Sequence, residues 1–338
     1  MVDNNHPPRG RHVHSGPIVA ALALLGIVFV FFVFGSSTDQ PWGDIAFLLG
    51  VPFGVGMLVG ENVDRQRAMG CFVWPTIAIC GLLFLAYLIF GEGVLCIAIV
   101  LPLWISAAIG GALTSLWVHG RYKPGEGEAD DGESRLRMAA WTILPSFLIA
   151  IEIFAPPTWS EHEVVREVIV KATPAQVWPQ LAQIRHVRPK EGRWTFTHDI
   201  LGIPRPVDAR LEHDKDGLVR KARWGEGIHF NERIVTQDTD RAMQWRFIFP
   251  DKSLQNHTDR HIAPDGETLH ILSGGYRLDP LQDGRTRIRL STRYAMRTQL
   301  PRYMAWWADL LLGDVQTNVL TIIAQRSHSQ PIPPRDVP

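Results

Sequence analysis

Residues 163–184 read EVVREVIVKATPAQVWPQLAQI, and this stretch decides the fold of the C-terminal half. Val165 and Ile169 share a face with Glu163, Glu167 and Lys171, whereas Val164, Val168 and Val170 share the other with Arg166. Side chains alternate across a strand, so this spacing predicts a half-buried β-strand over Glu163–Lys171. Thr173-Pro174 then opens a short helix, Thr173 as N-cap and Pro174 at the first helical position. Val177, Trp178, Leu181 and Ile184 form its apolar stripe.

Working outward, six further strands are expected at Pro206–Glu212, Leu218–Trp224, Gly227–Gln237, Ala242–Phe249, Glu267–Leu278 and Thr286–Thr298. Turn chemistry separates them at Asp214–Gly217, Asp238–Arg241, Pro264-Asp265-Gly266 and Asp283-Gly284. A long helix over Pro301–Arg326 closes the domain, with Tyr303, Trp306, Trp307, Leu310, Leu311, Val315, Val319, Ile322 and Ile323 at helical spacing. An antiparallel sheet has one face to bury, and the closing helix is its cover. The order defines an α+β domain over 158–329 with a curved sheet around one helix and a cavity between them. The proline-rich tail 330–338 is expected to be disordered.

Three segments carry a family resemblance: the strand–Thr-Pro–Val-Trp opening at 163–184, the central EGIHFNERIVTQDTDRAMQWRF at 226–247, and the closing PRYMAWWADLLLGDVQTNVLTIIAQR at 301–326. Together they resemble the START-like superfamily of helix-grip domains, grouped with polyketide cyclases and lipid-transport proteins. The resemblance covers the C-terminal half only. It implies a helix-grip fold and an apolar ligand cavity, with binders and enzymes both among the relatives. It does not imply a shared reaction.

The N-terminal half differs in composition up to a break at Pro156-Pro157. A bilayer core needs roughly 20 apolar residues per helix. Five stretches approach this, at Pro17–Gly35, Ile45–Gly60, Cys71–Phe90, Val94–Val118 and Met138–Ala155, so 17–155 is expected to be an all-α transmembrane bundle of about five helices. The first is too long for a signal-peptide core, and Val33-Phe34-Gly35 is not a small-x-small cleavage site. Arg9, Arg11, Arg65, Arg67, Arg121, Lys123, Arg135 and Arg137 fall in alternate loops, and the loops at Ser36–Asp44 and Gly91–Gly93 carry no Lys or Arg. By the positive-inside rule, residues 1–16 are cytoplasmic and the C-terminal domain is periplasmic or extracellular, in a multi-pass protein of the inner (cell) membrane. Were Ile45–Gly60 not to span, the assignment around it would have to be redrawn, and the domain could then lie inside. Cys71, Cys80 and Cys96 all lie in apolar segments, which suits an oxidising exterior for the domain. The spans hold almost no charged residues, so the bundle reads as an anchor or a site for a protein partner rather than a pump. Gly50-x-x-x-Gly54 and Gly56-x-x-x-Gly60 offer small faces for close helix packing.

Candidate ligand-binding residues come from strand faces: Trp224, Glu226, Phe230, Glu232, Trp245, Phe247, Tyr276 and Tyr294. Glu226 and Glu232 share parity with Ile228 and Phe230, which would set carboxylates beside apolar walls, with Arg223, Arg233 or Arg246 as partners. Glu226 or Arg246 would orient a polar head group. Arg287, Arg289, Arg293 and Arg297 share one face of the last strand and would either pair with Glu163 and Glu167 or meet anionic lipid head groups. His257-x-x-x-His261 lacks a third ligand, so no metal is expected, and no catalytic triad or phosphate-cradling loop gives a catalytic residue or a cofactor. Ser273, in Ser-Gly-Gly, reads as a strand bulge. No nucleic-acid partner is expected: Lys plus Arg and Asp plus Glu each number 34. Three functions stay open. One is binding of a lipid or other hydrophobic small molecule, another a cyclase or isomerase using a cavity carboxylate, and the last a membrane component docking a partner protein.

Overall fold

The computed structural model describes residues 46–61, 69–120, 156–257 and 263–328, which fall into two compact units. In the N-terminal half of the chain a π-helical turn, Ala46–Gly50, leads into α1 (Val51–Glu61). Helices α2 (Gly70–Phe90) and α3 (Val94–Gly120) follow. Two helical segments, Gly70–Ile89 and Val94–Trp117, are long and apolar enough to cross a membrane, and only 17% and 28% of their most apolar windows are buried. The stretches 17–35 and 138–155, expected as spans, lie outside the described residues. The small faces act as expected at Gly56 and Gly60. A Cβ on Gly56 would sit 1.8 Å from the Ala108 carbonyl oxygen, and one on Gly111 would sit 2.0 Å from that of Phe53. Backbone therefore meets backbone between α1 and α3, a contact that any side chain would break.

The C-terminal unit runs β1 (Trp159–Val170), α4 (Pro174–Ala182), α5 (Phe196–Asp199), β2 (Pro206–Asp214), β3 (Gly217–Trp224), β4 (His229–Asp238), β5 (Ala242–Ile248), α6 (Ser253–His257), β6 (Leu269–Pro280), β7 (Thr286–Arg297) and α7 (Pro301–His328). The seven strands form one antiparallel sheet in the order β1-β7-β6-β5-β4-β3-β2. With the closing helix packed on one face, this is the helix-grip arrangement expected from the sequence. The opening stretch behaves as read: Thr173 donates its backbone N–H to the Gln176 side chain at 2.9 Å, and Val177, Trp178 and Leu181 are buried. The expected bulge at Ser273 is present as a register shift between Ile271 and Ser273.

The inward face packs Val170, Met243, Trp245, Tyr276, Leu278, Ile288 and Leu290 against Leu320, Ile322 and Ile323 of α7 and Leu181 of α4. Polar contacts set the grip of α7. Arg166 of β1 donates to Asp309 at 2.8 and 3.0 Å, and its guanidinium lies over Gly313, where a Cβ would come within 2.1 Å. The Gln316 Nε2 donates to the Val164 carbonyl and to Thr292 Oγ1, at 3.0 and 2.9 Å.

Element ends depart from the sequence reading by a few residues, and the departure at β4 moves a candidate residue. The strand expected from Gly227 begins at His229, because Gly225–Gly227 forms a 3-10 turn with Glu226 at φ 57°. His257 ends the short helix α6. His261 lies outside the described residues.

Candidate functional site

Of the eight residues predicted to bind ligand, the structure brings six to one part of the inward sheet face. Trp224, Phe230 and Phe247 join Phe249 in a continuous aromatic group, with neighbouring ring centroids 5.8 to 6.2 Å apart. Phe230 is buried, while Trp224, Phe247 and Phe249 are half-buried. Trp245 joins this group to the core, 6.1 Å from Phe247 and 5.2 Å from Tyr276. These are favourable spacings for tilted and edge-to-face rings.

Glu232 stands opposite Phe247 across β4 and β5, and its partner is Arg220 of β3. The two stand opposite each other across β3 and β4, and Arg220 Nε donates to Glu232 Oε2. Both are sealed from water, at 3% and 6% exposure. Arg220 also donates from Nη1 to the Leu181 carbonyl at 3.0 Å, and its guanidinium carbon lies 4.6 Å from the Trp245 ring centroid. Burial is the largest single effect and works against the guanidinium's charge, but the Glu232 carboxylate and the Tyr276 hydroxyl together outweigh it and raise the Arg220 pKa. Burial first, and then the same carboxylate, push the Tyr276 hydroxyl up to about 12. Trp245 can lie flat here because its cross-strand partner is glycine: a Cβ on Gly274 would fall 2.6 Å from the indole. The Trp245 Nε1 is buried without a hydrogen-bond partner.

The other two predicted residues are elsewhere. Glu226 is exposed on its 3-10 turn, because two flanking glycines let the chain reverse where a strand was expected. Tyr294 is buried, but in a separate cluster with Val164 and Met296, against Met304, Ala308 and Leu312. The proposed arginine partners are also displaced. Arg233 pairs with Asp214 at 2.5 Å, Arg223 lies 3.9 Å from Asp208, and Arg246 is exposed on the opposite face from Trp245. Arg246 therefore cannot orient a head group in the interior. On that outer face Arg289 pairs with Glu167 at 2.8 Å and Arg293 with Glu161, rather than Glu163, at 2.7 Å. An open groove of about 980 Å³ also lies there, lined by Glu163, Glu167, Arg241, Arg246, Arg277 and Arg289 among others. Its charged walls face water and lack the apolar enclosure of a hydrophobic ligand site.

Sequence reasoning missed two residues. Arg220 shares strand parity with Ala222 and Trp224, so its inward direction was readable. His198 gave no local signal, because α5 is buried by contacts distant in sequence. Asp314 of α7 accepts from the backbone N–H and hydroxyl of Thr197 at 2.9 and 3.0 Å. Asn318 Oδ1 accepts from the Arg193 N–H and from Arg205 at 3.1 and 2.9 Å. These bonds fasten residues 193–205 to α7 and enclose His198 at 7% exposure, with the Trp224 ring 6.2 Å away. No group of three or more His, Cys, Asp or Glu able to hold a metal occurs among the described residues.

Neither a family model nor a curated protein matches the sequence. Similar solved structures include the Zhui aromatase/cyclase from Streptomyces sp. R1128, at 14% identity over 50% of this chain and 95% of that one, TM-score 0.33. Norcoclaurine synthase from Thalictrum flavum matches at 15% identity over 51% and 89% of the two chains, TM-score 0.32. The Mesorhizobium loti protein MLL2253 matches at 10% identity over 51% and 100%, TM-score 0.32. Likeness at these values says nothing about activity.

Proposed function

We propose that this chain is a membrane-anchored START-like domain that binds a lipid or other hydrophobic small molecule between the sheet and α7. The observation that carries the reading is the inward aromatic group. Trp224, Phe247 and Phe249 are only half-buried, although they face the same side as the sealed layer of Trp245 and Tyr276. Covering that surface with an apolar molecule is worth roughly 25 cal/mol per Å². The Arg220–Glu232 pair closes the floor beneath the rings and carries no net charge, which suits a ligand with a neutral apolar end. Glu232 is sealed from water and its Oε2 is engaged by Arg220 Nε, so it is better placed for structure than for proton transfer. The acid/base enzyme reading loses its carboxylate in this arrangement.

The two long apolar helices and the loop charges support an integral membrane protein with residues 1–16 inside and the helix-grip domain outside. The anchor would hold the domain near the lipid from which an apolar ligand could come.

The test compares small molecules extracted from the purified full chain with those from Phe247→Arg, which places a charge in the aromatic wall. The reading expects one stoichiometric apolar molecule in the wild type that is absent from the variant. Identical extracts from two equally stable proteins would overturn it.

A further inference from the structure

The imidazole of His198 is fixed by its surroundings. Its Nδ1 lies 2.8 Å from the Ile203 carbonyl oxygen. A carbonyl can only accept, so Nδ1 carries the proton and Nε2 carries the lone pair. That Nε2 is buried and has no hydrogen-bond partner. A buried acceptor left unpaired costs about 1–3 kcal/mol, so a site that keeps one needs an account.

The ring is held rigidly. The N-cap Thr195 hydroxyl accepts from the His198 backbone N–H at 3.2 Å, and Asp199 Oδ2 accepts from Thr195 N and from Arg205, both at 2.7 Å. The imidazole stays neutral. Burial is the largest effect and lowers its pKa; the hydrogen bond to the Ile203 carbonyl opposes it, the Arg205 charge adds to the lowering, Asp199 and Asp314 raise it less, and the net direction is down. The edge-to-face contact with Trp224 leads directly to Phe230 and the aromatic group.

The geometry points to His198 as a ligand-binding residue whose Nε2 accepts a hydrogen bond from a hydroxyl or N–H group on an apolar ligand lying against Trp224. This rests on the binding reading above and narrows its ligand class to apolar molecules bearing one neutral donor, such as alcohols and phenols. A cationic amine is disfavoured by the apolar surroundings and the nearby Arg205. A ligand with only ether or ester oxygens would leave Nε2 unpaired.

The test uses naphthol and its methyl ether, which share an apolar body and differ in the donor. Binding is measured by isothermal titration of the full chain in lipid nanodiscs, with empty nanodiscs as the blank. The wild type is expected to prefer naphthol by about tenfold, the value of one hydrogen bond. His198→Phe is expected to abolish that preference. His198→Asn keeps a donor for the Ile203 carbonyl and removes the acceptor at Nε2, so it should also lose the preference, which separates recognition from a folding defect. Equal wild-type affinity for the two probes would overturn the assignment of His198 and leave the binding reading intact. A preference retained in His198→Asn would do the same. Failure of the wild type to bind either probe would overturn both.

Discussion

Two arrangements of arginine and glutamate lie on opposite faces of the same sheet. On the outer face Glu167 meets Arg289 at 2.8 Å and Arg287 at 3.6 Å, with all three side chains 40% exposed. On the inner face Glu232 meets Arg220 with both side chains sealed beneath Trp245 and Tyr276. The residue types are the same and the physics differs. An outer pair gains little because water already solvates each charge. An inner pair has lost that solvation, so each member depends on the other and on the Leu181 carbonyl. The inner face is therefore a rigid, charge-compensated floor, and the outer face is a solvated surface that can vary.

The largest effect that would break this contrast is Glu232→Ala. Leaving the Arg220 charge buried and unpaired should cost about 3–5 kcal/mol, read from chemical denaturation of the full chain in detergent. The double change Arg220→Met with Glu232→Leu should recover most of that loss. A cost near that of a surface pair would mean that water reaches the inner pair.

Next is the pH response of Tyr276. Its folded-state pKa is raised to about 12 by burial and then by Glu232, above the ordinary value of about 10. Its contribution is thus complete below about pH 10 and is lost as pH rises through about 12, amounting to roughly 2–3 kcal/mol. An absorbance titration of wild type against Tyr276→Phe should assign a late phenolate to this residue, and an early one would show the layer to be wet.

Gly274→Ala forces a methyl group against the Trp245 indole, 2.6 Å away, and should cost about 1–3 kcal/mol. The neighbouring Gly275→Ala meets nothing closer than 3.3 Å and serves as the control. The smallest effect belongs to Glu167→Ala on the outer face, at under about 1 kcal/mol and shrinking with added salt.

Much of this arrangement was legible in the sequence where the signal is local. Alternation in Glu163–Lys171, the Thr173-Pro174 cap and the parity of Phe230, Glu232, Trp245 and Phe247 all follow from period and cap chemistry. What escaped depends on distant contacts or on glycine. Glu226 lies between Gly225 and Gly227, which allow a turn where parity alone suggested a strand. The partner of Glu232 could not be chosen among nearby arginines without the register that sets Arg220 opposite it. His198 is buried by Asp314 and Asn318, more than a hundred residues further along the chain. In the N-terminal half, Gly56 was readable as a packing face because only hydrogen permits the approach of Ala108.

The central claim, that the inward aromatic group receives an apolar molecule, is tested most directly by photolabelling. The full chain in nanodiscs is irradiated with an apolar phenyldiazirine, and the labelled peptides are mapped by mass spectrometry. The account predicts labels on Trp224, Phe230 and Phe247, reduced by Phe247→Arg, in addition to those on the long apolar helices. Labels confined to those helices, with β3 to β5 untouched, would contradict it.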